Sequence, residues 1–185
     1  RRMHEGAIIA DNAGEEITFT TDYINSSCSE LYTVRLDEKS SAITEHFILK
    51  NEFDTAKARV HSPFSKIVAF HYSCKNVWML YDRANKISIP TAQKHLSNCH
   101  SLAFHPKKES LLGIITKDGF VEIYDFYKNK TLAKTYNSLW ISTPDAPLTQ
   151  SSIDFSEDGE NLAVTINTAD DNRCLVLSNL YPKND

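Results

Sequence analysis

Three histidines, His95, His100 and His105, stand five residues apart and invite a metal-binding reading. Along one strand successive side chains alternate between the two faces, so this spacing sends His100 away from the other two. Three ligands on one ion are therefore disfavoured, and neither a metal nor another cofactor is expected. Acidic pairs occur at Glu157-Asp158 and Asp170-Asp171, in polar stretches that read as turns. Paired carboxylates act as acid and base only when held in a shielded pocket. Exposed turns are where solvated acids normally sit, and that reading is preferred here. No G-x-S-x-G, H-E-x-x-H, P-loop or G-x-G-x-x-G pattern is present. No residue is assigned a catalytic role, and no small-molecule substrate is expected.

The four cysteines, Cys28, Cys74, Cys99 and Cys174, form no C-x-x-C pair, which argues against a zinc knuckle or a redox motif. Cys99 and Cys174 lie among apolar residues, where a reduced cysteine serves as a small core side chain. A reducing, intracellular setting is expected. The net charge of −4 argues against a grip on nucleic acid by the whole surface. No stretch approaches the roughly 20 apolar residues of a membrane-spanning helix, and no membrane partner is expected. The first residue is Arg and no secretory signal follows it, so the chain reads as part of a longer protein. The sequons at Asn25 and Asn129 then read as chance occurrences.

The elements that must position these side chains are short strands. Apolar residues alternate over 16–20, 31–36, 66–71, 77–81, 110–116 and 119–125, and turn residues such as Lys117-Asp118-Gly119 bound them. That pattern predicts an antiparallel all-β protein: a sandwich, a barrel or a propeller. Only residues 54–59 read as weakly helical.

The strands also repeat. Residues 60–82 align with residues 103–125 without a gap, pairing Pro63 with Pro106, Tyr81 with Tyr124 and Asp82 with Asp125, each 43 positions apart. A third copy covers 153–180, and a weaker one lies in the first 50 residues. Repeats of roughly 40–45 residues with four strands each predict the blades of a β-propeller.

Residues 95–126, "HLSNCHSLAFHPKKESLLGIITKDGFVEIYDF", resemble one blade of the WD-repeat family. Lys94-His95 stands where the family has Gly-His, and His105-Pro106 where it has Ser-Pro. Thr116, Asp118 and Gly119 match its turn between the second and third strands, and Tyr124-Asp125 replaces Trp-Asp. The resemblance implies a hydrogen-bond chain in which Asp118 accepts from His95, His95 meets the Thr116 hydroxyl, and that hydroxyl meets Tyr124. The neighbouring copies depart from the pattern, with Lys75 at the position of Asp118 and Glu52 at that of His95.

The resemblance implies about four blades of four antiparallel strands, at 1–48, 49–93, 94–143 and 144–185, within a larger ring. It further implies a non-catalytic scaffold that binds other protein subunits in a nuclear or cytoplasmic complex, assemblies that build ribosomes among them, with RNA reached indirectly through the complex. Two other readings stand beside it: direct RNA binding through basic loops, and a propeller attached to a hydrolase. Residues 137–150 lengthen the last repeat, so that Phe104 and Phe155 lie 51 apart rather than 43. Trp140 and Ile141 in that insertion are partner-binding candidates, since loops on rigid scaffolds and exposed tryptophans favour interfaces. The alternative is that Trp140 folds back onto its own blade. Lys128, Lys130 and Lys134 form a basic cluster nearby, equally suited to protecting a sheet edge.

Overall fold

A computed structural model describes residues 3–4, 8–10, 16–23, 28–36, 41–50, 56–64, 67–72, 77–136, 150–167 and 172–178. The chain divides into two compact units, 1–93 and 94–185. Strands dominate both, and every pairing among the described residues is antiparallel. No helix among them is long and apolar enough to cross a membrane.

The first sheet contains β1 (Met3–His4), β2 (Ile8–Ala10), β3 (Glu16–Tyr23), β4 (Cys28–Leu36) and β5 (Ser41–Lys50), with β1 and β2 both pairing with β3. The second runs in chain order through β6 (Ala56–His61), β7 (Ile67–Tyr72), β8 (Val77–Asp82) and β9 (Ile87–Ser88). A short helix, α1 (Pro90–Leu96), leads into the third sheet: β10 (Cys99–Phe104), β11 (Leu111–Thr116), β12 (Phe120–Asp125) and β13 (Lys130–Tyr136), again in chain order. The fourth holds β14 (Gln150–Phe155), β15 (Asn161–Asn167) and β16 (Asn172–Ser178). Among the described residues, the four sheets hold five, four, four and three strands.

Two local expectations are corrected. Residues 56–61 form β6 rather than a helical turn, because pairing with β7 satisfies a backbone that Ala56, Lys57 and Arg59 would otherwise allow to coil. The helix lies instead at α1. Pro90 starts it with φ already set, Lys94 and His95 in its last turn suit the negative end of its dipole, and Ala92 and Leu96 are fully buried. Seven residues cannot hold a helix alone, so these two anchors and the capping contacts below maintain it.

The gap-free repeat is also corrected. β6 and β10 lie 43 apart and so do β8 and β12, but β7 and β11 lie 44 apart. The loop before β11 is one residue longer than the loop before β7, and the turn after β11 one residue shorter. The two differences cancel, so Ile67-Val68-Ala69 correspond to Leu111-Leu112-Gly113.

The turns that follow β8 and β12 are built alike. Asp82 Oδ1 accepts from the Asn85 amide at 3.0 Å, and Asp125 Oδ1 from the Lys128 amide at 3.0 Å. One residue later each turn takes a left-handed conformation, at Lys86 (φ 57°) and Asn129 (φ 50°). Asparagine tolerates that region and lysine does so less well. Lys86→Gly is therefore expected to raise stability by about 0.5–1 kcal/mol in urea unfolding. Asn129→Gly should bring no gain, because the Asn129 side chain accepts a hydrogen bond from Tyr124.

In the second unit β14 runs alongside β10 and β11. Leu111, Ile115, Val121 and Ile123 of the third sheet pack against Ile153, Leu162, Val164 and Ile166 of the fourth, with Leu175 and Leu177 at the margin. Gly113 allows this approach, since a Cβ there would lie 3.0–3.2 Å from side chains of Leu162, Phe155 and Ile153. Alternation along β12 sends Val121 and Ile123 into that core and leaves Phe120, Glu122 and Tyr124 on the opposite face.

Candidate functional site

That opposite face of β12 carries the most organised polar group among the described side chains. Glu122 is 3% exposed although charged, and an isolated carboxylate there would be costly to bury. It is not isolated. His95 Nε2 lies 2.8 Å from its Oε2, and Lys134 Nζ lies 2.8 Å from Oε1. Thr131 donates to Oε2 at 3.4 Å. Lys134 sits directly across from Glu122 in the β12–β13 register, and its ammonium also lies 3.9 Å above the Phe120 ring.

His95 comes from α1, whose last turn lays the imidazole flat on Tyr124, with ring centroids 4.1 Å apart and planes 8° from parallel. The Tyr124 hydroxyl donates to Asn129 Oδ1 at 2.7 Å. Burial, and then the adjacent Asp125 carboxylate, raise the Tyr124 pKa, which keeps the hydroxyl protonated as a donor. The cluster therefore ties α1, β12, β13 and the β12–β13 turn to one buried carboxylate.

The expected chain through His95, Thr116, Asp118 and Tyr124 is wired differently. His95 and Tyr124 do meet, by stacking, but the histidine's hydrogen-bond partner is Glu122. Asp118 is exposed and accepts from Asn98 Nδ2 at 2.7 Å. Thr116 Oγ1 accepts from the Phe120 amide at 3.0 Å and closes its own turn, where Gly119 takes φ 81°. The physical reason is the helix: α1 carries His95 over the middle of β12, away from the Asp118 turn. Asn98 takes the place next to Asp118, while Ser97 Oγ donates to the Lys94 carbonyl at 2.7 Å and Lys117 Nζ to the Ser97 carbonyl at 2.8 Å. Glu122 and Lys134 were missed as site residues, although one charged residue inside "FVEIY", matched by a lysine on the next strand, is a readable signal.

The other histidines go elsewhere. His100, the extra residue of a bulge in β10, meets Ser151 Oγ of β14 at 2.6 Å through Nδ1. His105 caps the turn after β10. No group of three or more metal-ligating side chains occurs among the described residues. Cys99 is buried, its thiol pushed well above its usual pKa by that burial, and its Sγ donates to the Ser101 carbonyl. Cys174 is exposed on β16 rather than part of the core, because alternation gives the inner face to Leu175 and Leu177. Asp158 is an exposed turn acid whose pKa is lowered by hydrogen bonds from Ser156 and the Glu160 amide. Asp170-Asp171, Trp140 and Ile141 lie outside the described residues.

Chemically, the cluster holds and neutralises a buried carboxylate. Among the described residues, no nucleophilic side chain is hydrogen-bonded to His95, whose ring is occupied by Glu122 and Tyr124. No protein-family model matches the chain, and no curated protein sequence matches it.

Proposed function

We propose that the chain is a segment of a WD-type β-propeller that serves as a non-catalytic platform for other protein subunits in a nuclear or cytoplasmic complex. One observation carries this reading: the way the third and fourth sheets meet. Phe104 and Phe155 end corresponding strands, 51 positions apart, and His100 and Ser151 have the same separation. The contact between His100, the bulge residue of β10, and Ser151 joins the first strands of two consecutive sheets near their starts. Consecutive meanders whose first strands lie side by side are what sheets arranged around an axis would show. The two matching Asp-capped turns, 43 residues apart in the second and third sheets, support the same reading. A scaffold role follows from a rigid frame whose polar cluster serves packing, leaving recognition to its loops.

The experiment is native mass spectrometry of the intact protein isolated from its own cells, with and without ribonuclease. A stoichiometric heteromeric assembly that survives ribonuclease is expected. Trp140→Ala should release a subunit while leaving the melting temperature unchanged. A bare monomer would overturn the scaffold reading, and an assembly dissolved by ribonuclease or by moderate salt would favour direct RNA binding.

A further inference from the structure

Corresponding turns in three sheets use different residues for one task. The backbone amides of Ser62, His105 and Ser156 donate to Ile67, Leu111 and Asn161 at 2.8, 2.9 and 3.0 Å, closing the loop between the first and second strands of each sheet. The two serines then use Oγ as a local acceptor, from the Phe64 amide at 3.3 Å and from the Asn161 amide at 3.0 Å. His105 does this with Nδ1, which accepts from the amides of Lys107 at 2.9 Å and Lys108 at 3.0 Å. An imidazole is longer than a hydroxymethyl group, and the difference carries it into the fourth sheet.

There the ring lies against Phe155, with centroids 4.9 Å apart, and against the Ser156–Gly159 turn. A Cβ on Gly159 would stand 2.3 Å from the ring's Cε1 and 2.6 Å from Nε2, so the histidine occupies space that only glycine leaves open. Gly159 also has φ +78°, a conformation glycine accepts without strain. His105 itself is 2% exposed.

We infer that His105 is an acid-sensitive latch between the third and fourth sheets, holding them together only while its ring is neutral. Because Nδ1 accepts two amide hydrogens, the ring proton resides on Nε2, next to Gly159. A second proton would have to enter at Nδ1, breaking both amide bonds and facing two N–H groups head on. The charged groups around the ring are Lys107 and Lys108 on its own turn, which oppose a positive ring, and Asp158 on the facing turn, itself under the influence of Lys107. Burial first, then Lys108, lower the His105 pKa to about 4, with the Gly159 backbone hydrogen bond pulling the other way. The unfolded chain, with an ordinary pKa of about 6.5, binds the proton more tightly. The latch thus contributes fully above that value, weakens as pH falls through it, and levels off near 4.

The test follows the His105 ring by NMR in the intact protein, alongside urea unfolding from pH 7 to pH 5 of wild type and His105→Ser. Serine keeps the local cap used by the other two sheets and loses the reach to Gly159. The wild-type folding equilibrium should fall by about 20-fold more than that of the variant between pH 7 and 5. The amides of Lys107 and Lys108 should lose exchange protection over the same range. A second variant, Gly159→Ala, should be far more damaging in wild type than in the His105→Ser background, where the ring is gone. An imidazole that titrates near 6.5 in the folded protein, or parallel pH profiles for wild type and His105→Ser, would overturn the latch. The NMR titration needs no variant and decides the matter even if the serine protein fails to fold.

Discussion

Glu122→Ala is expected to destabilise the protein by about 2–3 kcal/mol in urea unfolding. The substitution leaves the His95 imidazole and the Lys134 ammonium beside an empty, mostly buried position and strips Thr131 of its acceptor. Breaking a fully buried ion pair costs about 3–5 kcal/mol. The partners here, 28% and 49% exposed, recover some hydration, which lowers the figure. Glu122→Gln keeps the shape and one hydrogen bond and should cost about half as much. Asp118→Ala, which removes one exposed bond to Asn98, should cost under about 1 kcal/mol. This order reverses if the network runs through Asp118, as the family resemblance implies; equal losses at Glu122 and Asp118 would show that neither residue organises the sheet.

Leu162→Ala should cost about 3 kcal/mol, the usual range for a fully buried leucine being 2–5. Leu162 is entirely buried between the third and fourth sheets, and its Cδ1 reaches the open side of Gly113. The two positions therefore share one volume and should couple. Gly113→Ala on its own forces a methyl to within about 3.0 Å of that Cδ1 and is expected to destabilise. In the Leu162→Ala background the same methyl enters vacated space and should cost much less. A double-mutant cycle checks this, and additive losses would mean that the sheets do not meet at these side chains.

The contrast between Glu122 and Asp118 also marks how far the sequence could be read. Alternation located the strands well: the stretch expected at 77–81 is β8, and those at 110–116 and 119–125 are β11 and β12 within a residue at either end. Those strands are apolar on both faces or on alternate residues, and a period of two is hard to mistake. The strand at β6 was less legible because Ala56, Lys57 and Arg59 are good helix formers, and only pairing with β7 decides against them. The helix at α1 was missed because seven residues hold a single pair of buried apolar positions four apart, Ala92 and Leu96, too little for a periodic signal. That omission carried into the site. With 90–96 taken as a plain approach to a strand, His95 is placed beside the Asp118 turn; one turn of helix moves it over Glu122. Residue types therefore pointed to His95 and Tyr124, while the bond between them and Glu122 depended on a rotation that spacing alone does not encode.

The paired length differences around β7 and β11 have a use in engineering. A residue gained before β11 and another lost after it leave the flanking strands at their original separation. The hairpins at either end of this strand accept a change of one residue while the rest of the sheet keeps its register. The three-residue link 117–119 is thus a site where one added residue should be accommodated. The corresponding link in the second sheet already has four positions, and the added length would fall on the side of the strand away from His105.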